Sequence, residues 1–327
     1  MEKNKNYSHT DVNKSIVEEP IGKWSGPWTL EKLDAFEKYV RAYLQIMKKY
    51  APRFGWRLFY FDAFAGSGDT GVNHQEELDT EFGIFSKEDF DQVEEIIKHS
   101  NYKGAAERVL TAEVDGYSFD FFYFIDLNSG SLKKLEKKLN SQFPERKNSM
   151  AFREGDANEQ LRTLVDYFGK HPDNAALVLL DPFGMQIDWS TLEALMSIKH
   201  IDLWILLPSG VIINRLLTRK KGLMLPDKLS SFYGMKPDEI KNYFYTERKQ
   251  ATLFGEETTF EKCNDAINKI AQLYVDRLKT GFEYVTEEPL VLKNSTNCPI
   301  FHFIFASHNK TAKSIASQIV DKKNKKK

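Results

Sequence analysis

Cysteine is scarce in this chain of 327 residues: there are two, Cys263 and Cys298, far apart and without histidines at metal-ligand spacing. That excludes a disulfide framework and an encoded zinc site, and predicts that both pack as buried small hydrophobes. Long apolar runs are missing too. No stretch reaches membrane-spanning length, and Met1 to Glu19 is polar, without the hydrophobic segment of a secretory signal. The expectation is a cytoplasmic protein with no membrane association. Neither charge is in excess: 46 Lys and Arg stand against 47 Asp and Glu, a formal net charge of -1. A globally basic nucleic-acid binder is excluded, although local patches are not.

What is present is an ordinary supply of core, 41% hydrophobic residues with 28% charged, enough for one large domain or two smaller ones. Residues 1–20 read as a loose N-terminus. Trp28 to Tyr50 has apolar residues at helical spacing (Leu30, Leu33, Phe36, Val40, Tyr43, Leu44, Met47), with Thr29 as a candidate N-cap and Pro52 beyond the end. Leu58 to Ala63 and Phe119 to Ile125 are short apolar runs that predict buried strands. Between them lies an acidic segment, Glu76 to Glu95, with Lys87 as its basic residue. It reads as a solvated insertion or lid, or as a functional acid patch.

From there strand and helix alternate. Leu132 to Leu139, Glu159 to Phe168 and Ser190 to Ile198 read as helices, and Met150 to Arg153, Ala175 to Leu180 and Ile201 to Leu207 as strands. Residues 209–278 carry helical pattern without strand character. Two strand-like runs, Glu288 to Leu292 and Ile300 to Ala306, then lead to a lysine-rich tail at 321–327. The predicted fold is α/β: a doubly wound, mostly parallel, seven-stranded Rossmann-like sheet ending in an antiparallel hairpin, within one domain spanning 21–320. Insertions fall at about 72–104 and about 209–278. An antiparallel finish is the outline of methyltransferases, whereas dinucleotide dehydrogenases usually repeat a second parallel half.

Ligands of such sheets bind beyond the carboxyl ends of the strands. Four of those ends carry an aspartate: Asp62, Asp126, Asp156 in "REGDAN" and Asp181 in "LLDPFG". They are either ligand acceptors or helix N-caps, which Asp favours. The first strand runs into "FDAFAGSGDTG", a literal G-x-G-x-x-G through Gly66, Gly68 and Gly71. A nicotinamide cofactor would need a helix opening inside that turn and an acid about 20 residues on. Val72 to Asp79 has no apolar periodicity, and the next strand-terminal acid is the distant Asp126. A P-loop is excluded because no lysine follows the glycines. S-adenosylmethionine fits better: it has no phosphates, and its ammonium, sulfonium, ribose hydroxyls and adenine amine all seek carboxylate or carbonyl partners.

These motifs carry a resemblance. "DAFAGSG", with Asp62, Phe64, Ala65, Gly66 and Gly68, is similar to the D-x-F-x-G-x-G cofactor loop of amino-group methyltransferases; Asp126 matches their ribose-binding acid, and "GDA", with Asp156 and Ala157, their adenine-contacting motif. "DPFG", Asp181 to Gly184, resembles the catalytic [D/N/S]-P-P-[Y/F/W] motif and, more closely, the D-P-F-G of tRNA guanine-N2 methyltransferases. It departs from D-P-P-Y/F in having Phe183 at the second proline and Gly184 at the aromatic. A narrower resemblance spans most of the chain. "KWSGPWTLEKLDAFEKYVRAYL", "FYFDAFAGSG", "FYFID" and "LLDPFGMQIDW" look like the bacterial three-Cys-motif partner (TcmP) proteins.

The resemblance implies an S-adenosylmethionine-dependent fold linked to a partner protein with a CxxxCxxC-type motif, of the sort that holds an iron–sulfur cluster in radical-SAM enzymes. It also implies roles. Asp181 would accept from an acceptor amine, the Pro182 carbonyl would take a second N–H, Phe183 would stack on a base, and Gly184 would turn the chain clear of the pocket. Arg215, Arg219, Lys220 and Lys221 form a basic cluster that either binds phosphates of RNA or DNA or is the polar face of a helix. Trp24, Trp28 and Lys32 either cover the cofactor or pack as core. Three functions remain open at this point: a nucleobase amino-methyltransferase, a non-catalytic or partner-activated cofactor-binding subunit, and an NAD(P) oxidoreductase.

Overall fold

The computed structural model describes residues 27–68, 103–182, 184–219, 222–252 and 255–325. The acidic segment, Trp24, Gly71, Phe183, Lys220 and Lys221 lie outside them. Helix α1 (Pro27–Phe54) opens the described chain. The five apolar runs form β1 (Arg57–Asp62), β2 (Phe121–Asp126), β3 (Met150–Glu154), β4 (Asn174–Leu180) and β5 (Ile201–Leu207). All five are parallel. In β4 and β5 every residue is buried, because helices cover both faces of a parallel sheet and leave no solvated side to alternate with. Between the strands run α2 (Ala105–Leu110), α3 (Ser129–Gln142), α4 (Ala157–Lys170) and α5 (Trp189–Leu195).

After β5 comes a π-helical turn, Ser209–Ile213, that continues into α6 (Asn214–Leu216). Two hairpins follow, β6 (Leu217–Thr218) with β7 (Gly222–Leu223) and β8 (Tyr245–Thr252) with β9 (Gly255–Lys262), separated by α7 (Pro226–Tyr233) and α8 (Pro237–Phe244). The chain then makes α9 (Ala266–Leu278), β10 (Tyr284–Val285), β11 (Leu290–Lys293), β12 (Pro299–Ser307) and α10 (Lys310–Asn324).

The central sheet has the order β10-β12-β5-β4-β1-β2-β3, with β11 also on β12. β12 runs antiparallel to β5 on one edge and to β10 and β11 on the other. This is the expected doubly wound, mostly parallel sheet with an antiparallel finish. Its seventh rank is split into β10 and β11, so eight strand segments occupy seven places. The winding reverses between β1 and β4, and that switch point opens a crevice beyond their carboxyl ends.

Two cores flank the sheet. On one face α1, α3 and α10 bury Phe36, Tyr39 and Leu135 against Tyr60, Trp204, Phe303 and Phe305. On the other, α4, α5, α7, α8 and α9 bury Leu161, Leu192, Phe232, Phe244 and Tyr274 over Phe59, Val178 and Leu203. α1 spans about 42 Å at 1.5 Å per residue, long enough to place its first turns at the crevice while its last turn lies beyond the opposite end of β1.

Several expectations need correction. α1 starts at Pro27, so Thr29 lies inside the helix and is no N-cap; it also runs through Pro52 to Phe54. A proline in the last turn removes one intrahelical N–H bond, which a helix end tolerates better than a helix interior. Residues 209–278 are not purely helical, since they contain both hairpins. In "YTERKQAT" and "GEETTFEK" polar side chains hide the period of a strand from any apolar pattern. α10 carries the chain helically to Asn324, whose side chain bonds Val291 N–H and the Pro289 carbonyl, so the tail begins later than 321. Cys298 is exposed and Cys263 half-buried, so neither is a core residue. No described helix is long and apolar enough to cross a membrane.

Candidate functional site

β1 delivers Asp62 as its last residue, and β4 delivers Asp181 one residue past its end. The two strands are in register, Asp62 opposite Leu179, so both carboxylates arrive at the switch point together. Asp62 is 3% exposed. Its Oδ1 accepts Phe64 N–H at 3.2 Å and its Oδ2 accepts the Tyr60 hydroxyl at 3.3 Å. Burial, then the Asp181 charge, push its pKa up to about 7 against the pull of Phe64 N–H, Tyr60 and Lys32. A carboxylate so placed holds its charge weakly until a cation arrives.

That cation is in part supplied by α1. Lys32 Nζ pairs with Asp181 Oδ2. The lysine is 4% exposed, whereas the Asp181 side chain keeps about a quarter of its surface open. Lys32 also lies 5.6 Å from the centre of the buried Trp28 ring, which packs on Phe301. Trp28 and Lys32 are both buried, as the core alternative has it, and the lysine charge reaches the carboxylates at the strand ends.

The turn after β1 is stitched to its neighbours. Ala63 N–H donates to the Leu179 carbonyl and Ala65 N–H to the Ile125 carbonyl. Gly66 has φ +61°, a left-handed conformation that glycine adopts freely, and a Cβ there would meet nothing within 4 Å. Gly68 has φ +67°, and a Cβ would fall 2.6 Å from Leu135 Cδ1, so it lets the turn lie flat on α3. Gly66 therefore borders open space and Gly68 is a packing glycine. Lys138 on α3 bonds the Gly68 carbonyl and Glu107.

Asp126, at the end of β2, accepts Gly66 N–H on Oδ2 at 2.8 Å and Asn128 N–H on Oδ1 at 2.7 Å. Each oxygen keeps a second acceptor position, and two hydroxyls of a ribose are donors of matching number. Leu127 follows with 65% exposure. An apolar side chain left open beside that acid fits one face of a purine. Sequence reasoning passed over Leu127, because it stands just before the N-cap Asn128, where an apolar residue is ordinary. Asp156 is the N-cap of α4, accepting Asn158 and Glu159 N–H on Oδ1. Here the capping alternative is the one realised, with Oδ2 left for any ligand. Ala157 is buried as the first residue of α4.

Pro182 is buried. Gly184 has an unstrained backbone, and an added Cβ would only touch Ile212 Cδ1 at 3.4 Å. Neither strain nor crowding demands glycine there, and the π-turn after β5 forms the floor under it. That turn is locked from below: Ser209 Oγ and His302 Nδ1 share a buried hydrogen bond of 2.7 Å, and Gly210 presses against the Pro299 backbone. Arg215 is half-buried in α6 and Arg219 exposed after β6. Lys262 of β9, absent from the expected cluster, joins them. Its ammonium bonds the Asn214 carbonyl and side chain at 2.9 and 2.7 Å, and burial depresses its pKa, with Cys263 opposing and Arg219 adding to the depression.

The donor set fits a molecule with a ribose, a flat base and a cationic end. In such a molecule Asp126 could hold the sugar, Leu127 and the start of α4 could border the base, and Asp62 and Asp181 could face the cation.

No family model matches the chain, and no curated protein matches it. Among solved structures it is similar to a glycopeptide N-methyltransferase bound to S-adenosylhomocysteine (9% identity, 92% of this chain and 98% of that one, TM-score 0.31). Another is a candidate S-adenosylmethionine-dependent methyltransferase from Listeria monocytogenes (13% identity, 81% and 97%, TM-score 0.32). A third is the DszA carbon methyltransferase (13% identity, 84% and 54%, TM-score 0.36). At such identities and TM-scores these likenesses decide nothing about chemistry, which rests on the strand order and side chains of the chain itself.

Proposed function

We propose that the chain binds S-adenosylmethionine at the switch point and transfers its methyl group to an exocyclic amine of a nucleobase in RNA or DNA, in concert with a cysteine-motif partner protein. The observation that carries the reading is the convergence of Asp62, Asp126 and Asp181 on one crevice floored by Gly66. The nucleobase acceptor and the partner rest on the sequence resemblance. When bound, the cofactor supplies a methyl group on a positively charged sulfur. Asp126 anchors the ribose, and Asp62 balances the positive amino-acid end. Asp181 accepts a hydrogen bond from the acceptor amine, aims its lone pair, and draws off the proton released when the new N–C bond forms. Walls of Trp28, Pro182 and the π-turn keep water from the reacting atoms. The Arg215, Arg219 and Lys262 group offers positive charge for a phosphate backbone.

One observation favours a partner-activated form of the same function: Asp181 already has a cation, Lys32, on one oxygen. An acceptor amine then shares the carboxylate with an ammonium until something moves the lysine.

Calorimetric titration tests the cofactor. S-adenosylhomocysteine binds and NADH does not, and Asp126→Ala weakens binding by roughly 100- to 10,000-fold, the worth of two hydrogen bonds to a charged group. Unchanged affinity removes the ribose assignment. Labelled-methyl incorporation into tRNA, rRNA and DNA, with and without the cysteine-motif protein, tests the reaction. Incorporation by Asp181→Ala equal to that of the wild type removes the catalytic assignment.

A further inference from the structure

Asp62, Asp126 and Asp181 match the cationic groups and ribose of S-adenosylmethionine and leave its α-carboxylate without a partner. A carboxylate brought to a rim of aspartates needs a cation or N–H donors of its own. Among the described cations near the turn, Lys138 is already shared between the Gly68 carbonyl and Glu107. Lys32 is different. It is buried, it bonds Asp181, and its charge also reaches Asp62. With all three ionised the group carries a net charge of -1, and the cofactor, with two positive groups and one negative, brings +1.

Resting on the proposed binding of S-adenosylmethionine at the switch point, we infer that Lys32 is a two-position cation: it holds Asp181 in the free protein and the α-carboxylate of the cofactor in the complex. Cofactor binding thereby frees Asp181 for the acceptor amine. The ammonium has a long flexible stem and three donors, so it can trade one carboxylate for another without moving its helix. The exchange conserves a buried ion pair at every stage, which keeps its free-energy cost low. It also couples cofactor binding to acceptor binding, because a second carboxylate that draws the ammonium away from Oδ2 leaves both oxygens of Asp181 to the amine. Lys32 is thus a positioning residue for Asp181 as well as a ligand of the cofactor.

Calorimetry with two ligands tests it: S-adenosylhomocysteine, and its decarboxylated form, which keeps nucleoside, sulfur and amine. Lys32→Met weakens S-adenosylhomocysteine roughly 10- to 100-fold, the scale of a charged hydrogen bond, and leaves the decarboxylated ligand within about twofold of the wild-type value or tighter. Asp181→Asn releases the lysine and tightens S-adenosylhomocysteine by roughly three- to tenfold, an effect that vanishes when Lys32→Met is added. Equal losses for both ligands in Lys32→Met, or an Asp181→Asn protein that binds S-adenosylhomocysteine no more tightly than wild type, overturn the exchange. Should Lys32→Met not fold, Asp181→Asn decides alone. Wild-type protein that binds neither ligand overturns the cofactor reading and the exchange with it; binding of both that is indifferent to Lys32 overturns the exchange only.

Discussion

Two aspartates are hidden to nearly the same depth, Asp62 at 3% exposure and Asp202 at 8%, and their surroundings could hardly differ more. Asp202, in β5, accepts the Tyr39 hydroxyl and the Ser307 hydroxyl, each at 2.6 Å, so α1, β5 and β12 meet on one carboxylate. Burial raises its pKa to about 6, and those two hydroxyls and then His308 oppose the rise. Asp62 has only longer bonds, and its largest neighbouring charge is another carboxylate. A buried acid with short bonds on both oxygens is a joint in the structure. One with weak bonds beside a like charge is a place where a cation belongs.

The largest test of that contrast removes the cation. Lys32→Met leaves Asp62 and Asp181 facing each other, and is expected to lower unfolding free energy at pH 8 by roughly 2–4 kcal/mol. That is less than for a fully enclosed pair, because Asp181 is partly open to water. Urea denaturation measures it, and part of the loss should return at pH 5 as Asp62 takes a proton.

Next comes Asp62→Asn. A folded pKa of about 7 for Asp62, against about 3.9 in an unfolded chain, means the native protein binds the extra proton. The stabilising protonation is complete below about pH 4 and is lost as pH rises to about 7. Asp62→Asn should therefore raise stability at pH 8 by on the order of 2 kcal/mol, flatten the decline between pH 4 and 7, and weaken S-adenosylhomocysteine. Melting curves across that range that keep the wild-type slope would show the raised pKa to be unimportant.

The smallest effect belongs to the joint. Tyr39→Phe removes one donor from Asp202 and should cost about 1–2 kcal/mol at pH 7, with S-adenosylhomocysteine affinity unchanged. A change in affinity would link the joint to the crevice and blur the distinction.

Much of the fold was legible in the chain. Apolar runs with aromatic and β-branched residues marked all five parallel strands to within two residues, and Asp62, Asp126 and Asp181 stood at or just past their ends. β8 and β9 were not legible, because alternation needs one apolar face and "TERKQAT" has none. Helix α10 reached four residues into a run read as tail, since beyond the buried Val320 its anchor is Asn324 on the Pro289 carbonyl rather than a further apolar residue. Leu127 stood in plain view, yet an exposed leucine means nothing until the acid beside it is seen to face a cleft.

The sequence by itself determined the alternation of strand and helix, and with it a parallel sheet whose strand ends carry acids, because burial on both faces requires continuous apolar runs and turns favour Gly and Asp. Only the tertiary structure decided which acids share a partner. Lys32 and Asp181 are 149 residues apart, and Tyr39 and Asp202 are 163. Both pairings depend on how α1 lies across the sheet. Local pattern shows that α1 has an apolar face, but the packing of Trp28, Phe36 and Tyr39 against Phe301, Trp204 and Phe305 fixes where that face comes to rest. That resting place makes one aspartate a joint and brings a lysine to the other two.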